Sequence, residues 1–86
     1  MARILAWTPG GWDDYVHSQQ ADRTLGKRIN RLLTDVLRDP FEGIGKPEPL
    51  KYGAPNAWSR RITEEHRLVY LVHDDQIVVL QARYHY

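Results

Sequence analysis

The sequence predicts an α+β fold: an N-terminal strand, two helices, then an antiparallel β-meander forming one sheet packed on the helices. Three observations favour it. An amphipathic helical stretch follows Asp22, two continuous apolar runs flank Asp74-Asp75, and a Pro- and Gly-rich segment over 40–47 separates the helical part from the strands. No repeat or linker interrupts the chain, so residues 1–86 are predicted to form a single domain.

The first strand is predicted over 3–7, followed by a helix that ends near Gln20. Thr8 is a suitable N-cap because its hydroxyl can accept a hydrogen bond from a free helical N–H. Pro9 suits the first helical position, where its missing N–H costs nothing. Trp7 and Trp12 are predicted to lie in the core.

The second helix is the clearest element of the sequence. Asp22 is its predicted N-cap, and Asp39-Pro40 ends it because the residue before proline is disfavoured in the helical region. Its apolar positions keep helical spacing over three turns: Leu25, Ile29, Leu32, Leu33, Val36 and Leu37.

The remaining chain predicts strands over 48–53, 58–63, 66–73 and from Gln76 to about Tyr84, with a tight turn at Asp74-Asp75. The two apolar runs, over 69–72 and 77–80, are typical of a central hairpin covered on both faces or nearly so.

Composition excludes several classes of site and partner. The chain has no cysteine, which excludes disulfides, thiolate metal sites and cysteine nucleophiles. No apolar run approaches the roughly 20 residues of a membrane span, so we expect a soluble cytoplasmic protein. Twelve basic residues nearly cancel 11 acidic ones, for a net charge of +1. An RNA substrate would therefore need local arrangement of charges or a second macromolecule for much of its affinity.

Several polar residues interrupt the apolar pattern and could carry chemistry. RNA cleavage by a neighbouring 2′-hydroxyl needs a base, an acid and fixed cations that stabilise the phosphorane. Histidine suits the acid, glutamate can serve as base, and the arginine fork binds two phosphate oxygens. The candidates for these roles are Glu48, Lys51, Arg60, Arg61, His66, Arg67 and His85.

Plainer interpretations stand beside these roles. Arginines in strands are usually solvated, and because side chains alternate, Arg60 and Arg61 should point to opposite faces. A histidine near a chain end is usually just exposed. Trp58, Tyr70 and Tyr84 are more often core residues than platforms for bases. His17 and His73 lack the spacing of metal ligands.

The same residues fall in motifs that resemble the YoeB (Txe) toxins, a branch of the RelE superfamily. The resemblance runs the length of the chain in the right order. Its segments are Trp12-Asp13-Asp14-Tyr15, Asp39-Pro40-Phe41-Glu42-Gly43, Gly45-Lys46-Pro47-Glu48-Pro49-Leu50-Lys51, Trp58-Ser59-Arg60-Arg61-Ile62, Glu64-Glu65-His66-Arg67-Leu68-Val69-Tyr70 and Arg83-Tyr84-His85-Tyr86.

This resemblance implies a RelE-like, microbial-RNase-like fold and a function. It implies the toxin of a type II toxin–antitoxin system, a ribosome-dependent mRNA interferase that cuts mRNA in the ribosomal A site without metal or cofactor. The implied product ends in a 2′,3′-cyclic phosphate. The implied partners are a YefM-like antitoxin, the 70S ribosome with its mRNA, and a second copy in a homodimer. Contact with DNA would come only through the antitoxin.

The residue roles of the family apply only to those positions of this sequence that match its motifs. The resemblance implies Glu48 as general base, His85 as general acid and Arg67 as the group that stabilises the phosphorane. Lys51 and Arg61 would hold phosphates, and Tyr86 would orient the substrate. The segment 52–57, Tyr-Gly-Ala-Pro-Asn-Ala, departs from the family pattern, which leaves substrate positioning near Lys51 open.

We do not expect the chain to continue as a regular strand to its last residue. A regular strand would turn His85 and Tyr86 to opposite faces, so we expect both to leave the sheet.

The sequence leaves two other functions open. One is an antitoxin-binding corepressor with weak or no nuclease activity. The other is a metal-free nuclease acting on free RNA, which the small net charge disfavours.

Overall fold

The computed structural model describes residues 3–51 and 53–84, as two helices packed against a five-stranded mixed sheet. The helices are α1 (Pro9–Ala21) and α2 (Arg23–Arg38). The strands are β1 (Ile4–Trp7), β2 (Glu48–Pro49), β3 (Ala57–Arg61), β4 (Arg67–Val72) and β5 (Gln76–Gln81). The sheet order is β1-β5-β4-β3-β2, with β1 parallel to β5 and all other neighbours antiparallel. The predicted α+β class is confirmed.

Both helices begin at the caps that the sequence predicts. The Thr8 hydroxyl accepts a hydrogen bond from the Gly11 N–H at 3.1 Å, and Pro9 occupies the first helical position. The Asp22 carboxylate accepts from the Leu25 N–H at 3.1 Å. The first helix runs one residue further than expected, and the second ends at Arg38, before Asp39 and Pro40.

The first turn of α1 lies directly against β5. Gly11 allows this approach, because a Cβ there would lie 2.3 Å from the Val79 carbonyl oxygen. The Thr8 hydroxyl also lies 3.3 Å from the carbonyl oxygens of both Val79 and Leu80. One turn later, the Asp14 carboxylate accepts from the Ala82 N–H at 3.0 Å. Helix α1 therefore holds the end of β5 in place.

Two predicted strands are too long. The strand over 48–53 shrinks to Glu48–Pro49, because the backbone past Leu50 turns through Gly53 at a φ of +102°. The last strand ends at Gln81 and not near Tyr84, whose φ of +60° is incompatible with a strand. The other strands match their predictions to within two residues at each end.

The core lies between α2 and one face of the sheet. Its fully buried members on α2 are Ile29, Leu32 and Val36, and on the sheet Leu68, Tyr70, Ile77 and Val79. On the opposite face of β4, Val69 is also buried, whereas Leu71 is half-buried. The central hairpin of β4 and β5 is therefore covered on the face that packs against α2 and only partly covered on the opposite face.

Three aromatic or charged residues depart from their predicted environments. Trp12 is 49% exposed and packs edge-on against Trp7, so its assignment to the core is wrong. Tyr84, expected in the core, is exposed. Arg60 and Arg61 do point to opposite faces, but Arg60 is fully buried instead of solvated. Within the described residues, neither helix is long and apolar enough to cross a bilayer.

Candidate active site

An ion pair between Glu48 and Arg67 marks one exposed face of the sheet. The Arg67 Nη1 donates to Glu48 Oε1 at 3.1 Å, although their strands, β4 and β2, are separated by β3. The Glu48 side chain is 53% exposed and that of Arg67 is 16% exposed. A carboxylate that solvent can reach thus lies beside a largely covered guanidinium.

Strand register explains how this pair forms. Glu48 is the cross-strand partner of Ser59, and Arg67 is the partner of Arg61, two residues further along β3. Side chains two residues apart in a strand share a face, so all four point the same way. Ser59 is small and fully buried, which leaves room for the pair to meet above β3.

Arg61 lies in the same cluster and is exposed. Its backbone is tied on both sides: the Arg61 N–H donates to the Gly45 carbonyl at 2.6 Å, and the Arg28 guanidinium donates to the Arg61 carbonyl at 3.4 Å. The structure therefore places Arg61, Arg67 and Glu48 on the same face of neighbouring strands.

Lys51 lies just beyond β2 and is exposed. The Leu50 N–H donates to the Ala57 carbonyl at 3.0 Å, which closes the chain over 50–57 into a loop beside β3. Tyr52 lies outside the described residues. Lys51 is thus close in sequence to Glu48, on the loop whose composition departs from the family pattern.

His85 and Tyr86, the predicted general acid and orienting residue, lie outside the described residues. Tyr84, the last described residue, lies beside the site. The Arg67 N–H donates to the Tyr84 carbonyl at 3.0 Å, and the Tyr84 N–H donates to His66 Nδ1 at 2.8 Å. The residue before His85 is therefore bonded to the same strand end that carries Arg67.

The glycine loop before Glu48 is shaped by packing. Gly45 has a φ of +80°, and a Cβ there would lie 2.7 Å from Leu32 Cδ2 and 3.0 Å from the Arg61 carbonyl oxygen. Gly43 has a φ of +138°. Both positions therefore need glycine for backbone reasons.

Arg60 organises that loop from beneath, a role the sequence did not reveal. Its guanidinium is fully buried and pairs with the Asp35 carboxylate. It also donates to the carbonyls of Asp39, Glu42 and Ile44. A signal was available, because alternation places this position on the core face together with Trp58 and Ile62.

Asp35 lies beneath the same loop and pairs with two arginines. Hydrogen bonds from Arg38 and then Arg60 hold the pKa of its carboxyl far below the ordinary value, and the Ile44 N–H adds to the effect. Burial raises the pKa of the Tyr70 hydroxyl, which donates to the Pro40 carbonyl at 2.7 Å. Both groups lie under the loop and hold it, away from the exposed face.

Comparison with known proteins decides the family. The model of the YoeB-like toxins of bacterial type II toxin–antitoxin systems matches residues 7–86. The chain belongs to this family. It is 58% identical to toxin YoeB of Streptomyces coelicolor and 55% identical to toxin YoeB of Escherichia coli K12. Each alignment covers 95% of this chain and 98% of the relative.

Solved structures agree with this assignment. A YoeB dimer from Staphylococcus aureus has a TM-score of 0.91 and 42% identity, and the match covers 100% of both chains. A YoeB–YefM complex from the same species has a TM-score of 0.87, 41% identity and the same coverage. YafQ in the DinJ–YafQ complex of E. coli shares only the fold, at 15% identity and a TM-score of 0.81, over 99% of this chain and 94% of YafQ.

Proposed function

We propose that this toxin-family chain is a ribosome-dependent endoribonuclease that cuts mRNA in the A site. The observation that carries the proposal is the ion pair of Glu48 and Arg67 on an exposed sheet face, with Tyr84 hydrogen-bonded beside it. A base candidate and a fixed cation thus lie side by side, and 2′-hydroxyl attack needs one group of each kind at the reacting phosphate.

In the proposed reaction, Glu48 accepts the proton of the 2′-hydroxyl. The 2′-oxygen forms a bond to phosphorus while the bond from phosphorus to the 5′-oxygen breaks. Arg67 stabilises the additional negative charge of the phosphorane, and His85 gives a proton to the leaving 5′-oxygen. The products are a 2′,3′-cyclic phosphate and a free 5′-hydroxyl.

Substrate binding is assigned to three further residues. The exposure of Arg61 on the face of Glu48 and Arg67 supports its role in holding a phosphate. Lys51, exposed on the loop after β2, is assigned a second phosphate. Tyr86 is assigned to orient the RNA at the cut.

Charge favours action on the ribosome over action on free RNA. A net charge of +1 gives little long-range attraction for a polyanion. If the ribosome presents the mRNA, binding energy comes from ribosomal contacts, and activity is confined to the cytoplasm where ribosomes translate. We assign the activity to residues 1–86 as one domain.

The proposed protein partners are a YefM-like antitoxin and a second copy of the chain. Support comes from the YoeB–YefM complex and the YoeB dimer of S. aureus, to which this chain is 41–42% identical over its full length. Any contact with DNA would be made by the antitoxin.

The test is a cleavage assay on purified ribosomes programmed with a defined mRNA, read by primer extension. We expect a cut in the A-site codon with ribosomes present and an intact mRNA without them. A cut on naked mRNA at the same rate would favour the free-RNA nuclease. No cut at saturating protein, together with tight antitoxin binding, would overturn the proposal in favour of the corepressor role.

A further inference from the structure

The segment after β5 bends sharply just before the proposed general acid. The strand ends at Gln81, and the buried Ala82 donates its N–H to Asp14 at 3.0 Å. Two residues later Tyr84 adopts a φ of +60°, a left-handed conformation that bulky residues rarely adopt. Such a conformation persists only where its surroundings hold it.

His66 and Arg67 are the main residues that stabilise this conformation of Tyr84. The Tyr84 N–H donates to His66 Nδ1 at 2.8 Å, and the Tyr84 carbonyl accepts from the Arg67 N–H at 3.0 Å. The His66 and Tyr84 rings also lie 5.5 Å apart, centroid to centroid. Gln81 Nε2 adds a hydrogen bond to the Arg83 carbonyl at 2.9 Å.

His66 is itself held at the start of β4. Its carbonyl accepts from the N–H groups of Ile62 and Thr63, and its own N–H donates to the Thr63 hydroxyl at 3.1 Å. A neutral imidazole that accepts at Nδ1 carries its proton on Nε2, so this contact also sets the tautomer. The ring is half-buried, and its position is fixed by the contacts of His66 with the hairpin and with Tyr84.

We propose that His66 is a positioning residue for the cleavage reaction, which it supports by holding Tyr84, the residue before the proposed general acid His85, in its left-handed conformation. The inference rests on the proposed function. His66 acts together with its chain neighbour Arg67, so the start of β4 holds both the proposed phosphorane-stabilising cation and the residue that precedes the proposed acid. Small displacements of reacting groups cost large factors in rate, on the order of 100-fold for about 1 Å.

Substitutions at position 66 separate the hydrogen bond from the bulk of the ring. His66→Asn keeps an acceptor near the place of Nδ1, His66→Gln places its polar atoms near Nε2, and His66→Leu removes both. His73→Leu is the matched control, because His73 also uses Nδ1 in a side-chain contact, with Asn56 at 3.2 Å, in the turn before β5.

The first measurement is single-turnover cleavage on programmed ribosomes at saturating toxin, with ribosome affinity measured separately. We expect His66→Leu and His66→Gln to lower the cleavage rate by about 10- to 100-fold with unchanged ribosome affinity, since positioning acts on the rate. His66→Asn should recover most of the rate, and His73→Leu should equal wild type. Equal rates for His66→Leu and wild type, or equal loss in Asn and Gln, would overturn the role.

The second measurement is hydrogen exchange at the Tyr84 amide, which does not depend on activity. We expect faster exchange in His66→Leu and near-normal exchange in His66→Asn, with the core amides of β4 unchanged. Unchanged Tyr84 exchange in His66→Leu would show that the bend holds without His66. If the wild-type protein cuts no mRNA, the proposed function fails, and so does the proposed effect of His66 on cleavage. Hydrogen exchange at the Tyr84 amide still decides whether His66 holds Tyr84 in place.

Discussion

Arg60 shows how one buried charge shapes the exposed site. It lies between Trp58 and Ile62 on the core side of β3, and its guanidinium is shared by the Asp35 carboxylate and the loop carbonyls after α2. That loop leads directly to Glu48. An uncompensated buried charge costs several kcal/mol, so loss of the Asp35 charge should disturb both the loop and overall stability.

The stabilisation by the ionised Asp35 carboxylate depends on pH. Its folded-state pKa lies far below the unfolded value of about 3.9, because Arg38 and Arg60 bind the ionised form. The stabilisation it provides is therefore present above about pH 4 and is lost as the pH falls below that value. We predict that Asp35→Asn lowers the free energy of unfolding at pH 7 by on the order of 3 kcal/mol.

The difference between wild type and Asp35→Asn should shrink as the pH falls from about 5 to 2. Urea titrations at several pH values measure it, and Asp13→Asn, at an exposed position of α1, serves as control with little effect throughout. A difference that stays constant across this pH range would contradict the assignment of the stabilisation to the ionised carboxylate.

At the scale of elements, the sequence predicted the helices better than the strands. The caps at Thr8 and Asp22 are local, because each side chain bonds an N–H three residues away. Strand limits depend on distant partners. The early end of β5 follows from hydrogen bonds of Tyr84 to residues 66 and 67, and the parallel pairing of β1 with β5 joins segments about 70 residues apart.

The sequence likewise predicts only part of the candidate site. The family resemblance selected Glu48, Arg61 and Arg67, which the structure brings together. Their proximity depends on the register of β2, β3 and β4, which composition and periodicity do not reveal. His66 interrupts the apolar pattern of the sequence, but its contact with Tyr84 depends on a backbone bend that no local motif predicts.

Ser59 provides a prediction about strand β3. It lies on the same face as Glu48 and Arg67, is fully buried, and its hydroxyl has no hydrogen-bond partner among the described residues. Its role there is to be small. We predict that Ser59→Leu separates Glu48 from Arg67 and lowers mRNA cleavage at least about tenfold, because added bulk in a packed position displaces its neighbours.

Ser59→Ala is the matched control. It keeps the side chain small and removes a hydroxyl that is unpaired within the described chain, so cleavage and thermal stability should stay near wild type. Cleavage rates are compared at a temperature where circular dichroism shows all three proteins folded. If Ser59→Ala loses as much activity as Ser59→Leu, the hydroxyl and not the size of the residue matters.

At the scale of the whole molecule, the β1 edge of the sheet exposes apolar surface. Ile4 on β1 is 71% exposed, and the half-exposed Trp12 ring packs against Trp7 of the same strand. Edge strands with such surface favour association with another chain. The dimer of the S. aureus relative makes a second copy the occupant that we propose.

We predict that Trp12→Gln weakens self-association and shifts the protein toward the monomer in light scattering coupled to size exclusion. Phe41→Gln is the control, since Phe41 is comparably exposed and also makes an edge-on ring contact, but with Trp58 on β3. An equal shift in both variants, or a dimer undisturbed by Trp12→Gln, would place the contact elsewhere.

The central claim is that Glu48 beside Arg67 performs the chemistry of RNA cleavage. The most direct measurement is the single-turnover rate of A-site mRNA cleavage for Glu48→Gln, with Glu64→Gln, on the exposed turn between β3 and β4, as control. We predict a loss of about 10²- to 10⁴-fold for Glu48→Gln and none for the control, with a 2′,3′-cyclic phosphate on the wild-type product. Wild-type rates from Glu48→Gln would contradict the account.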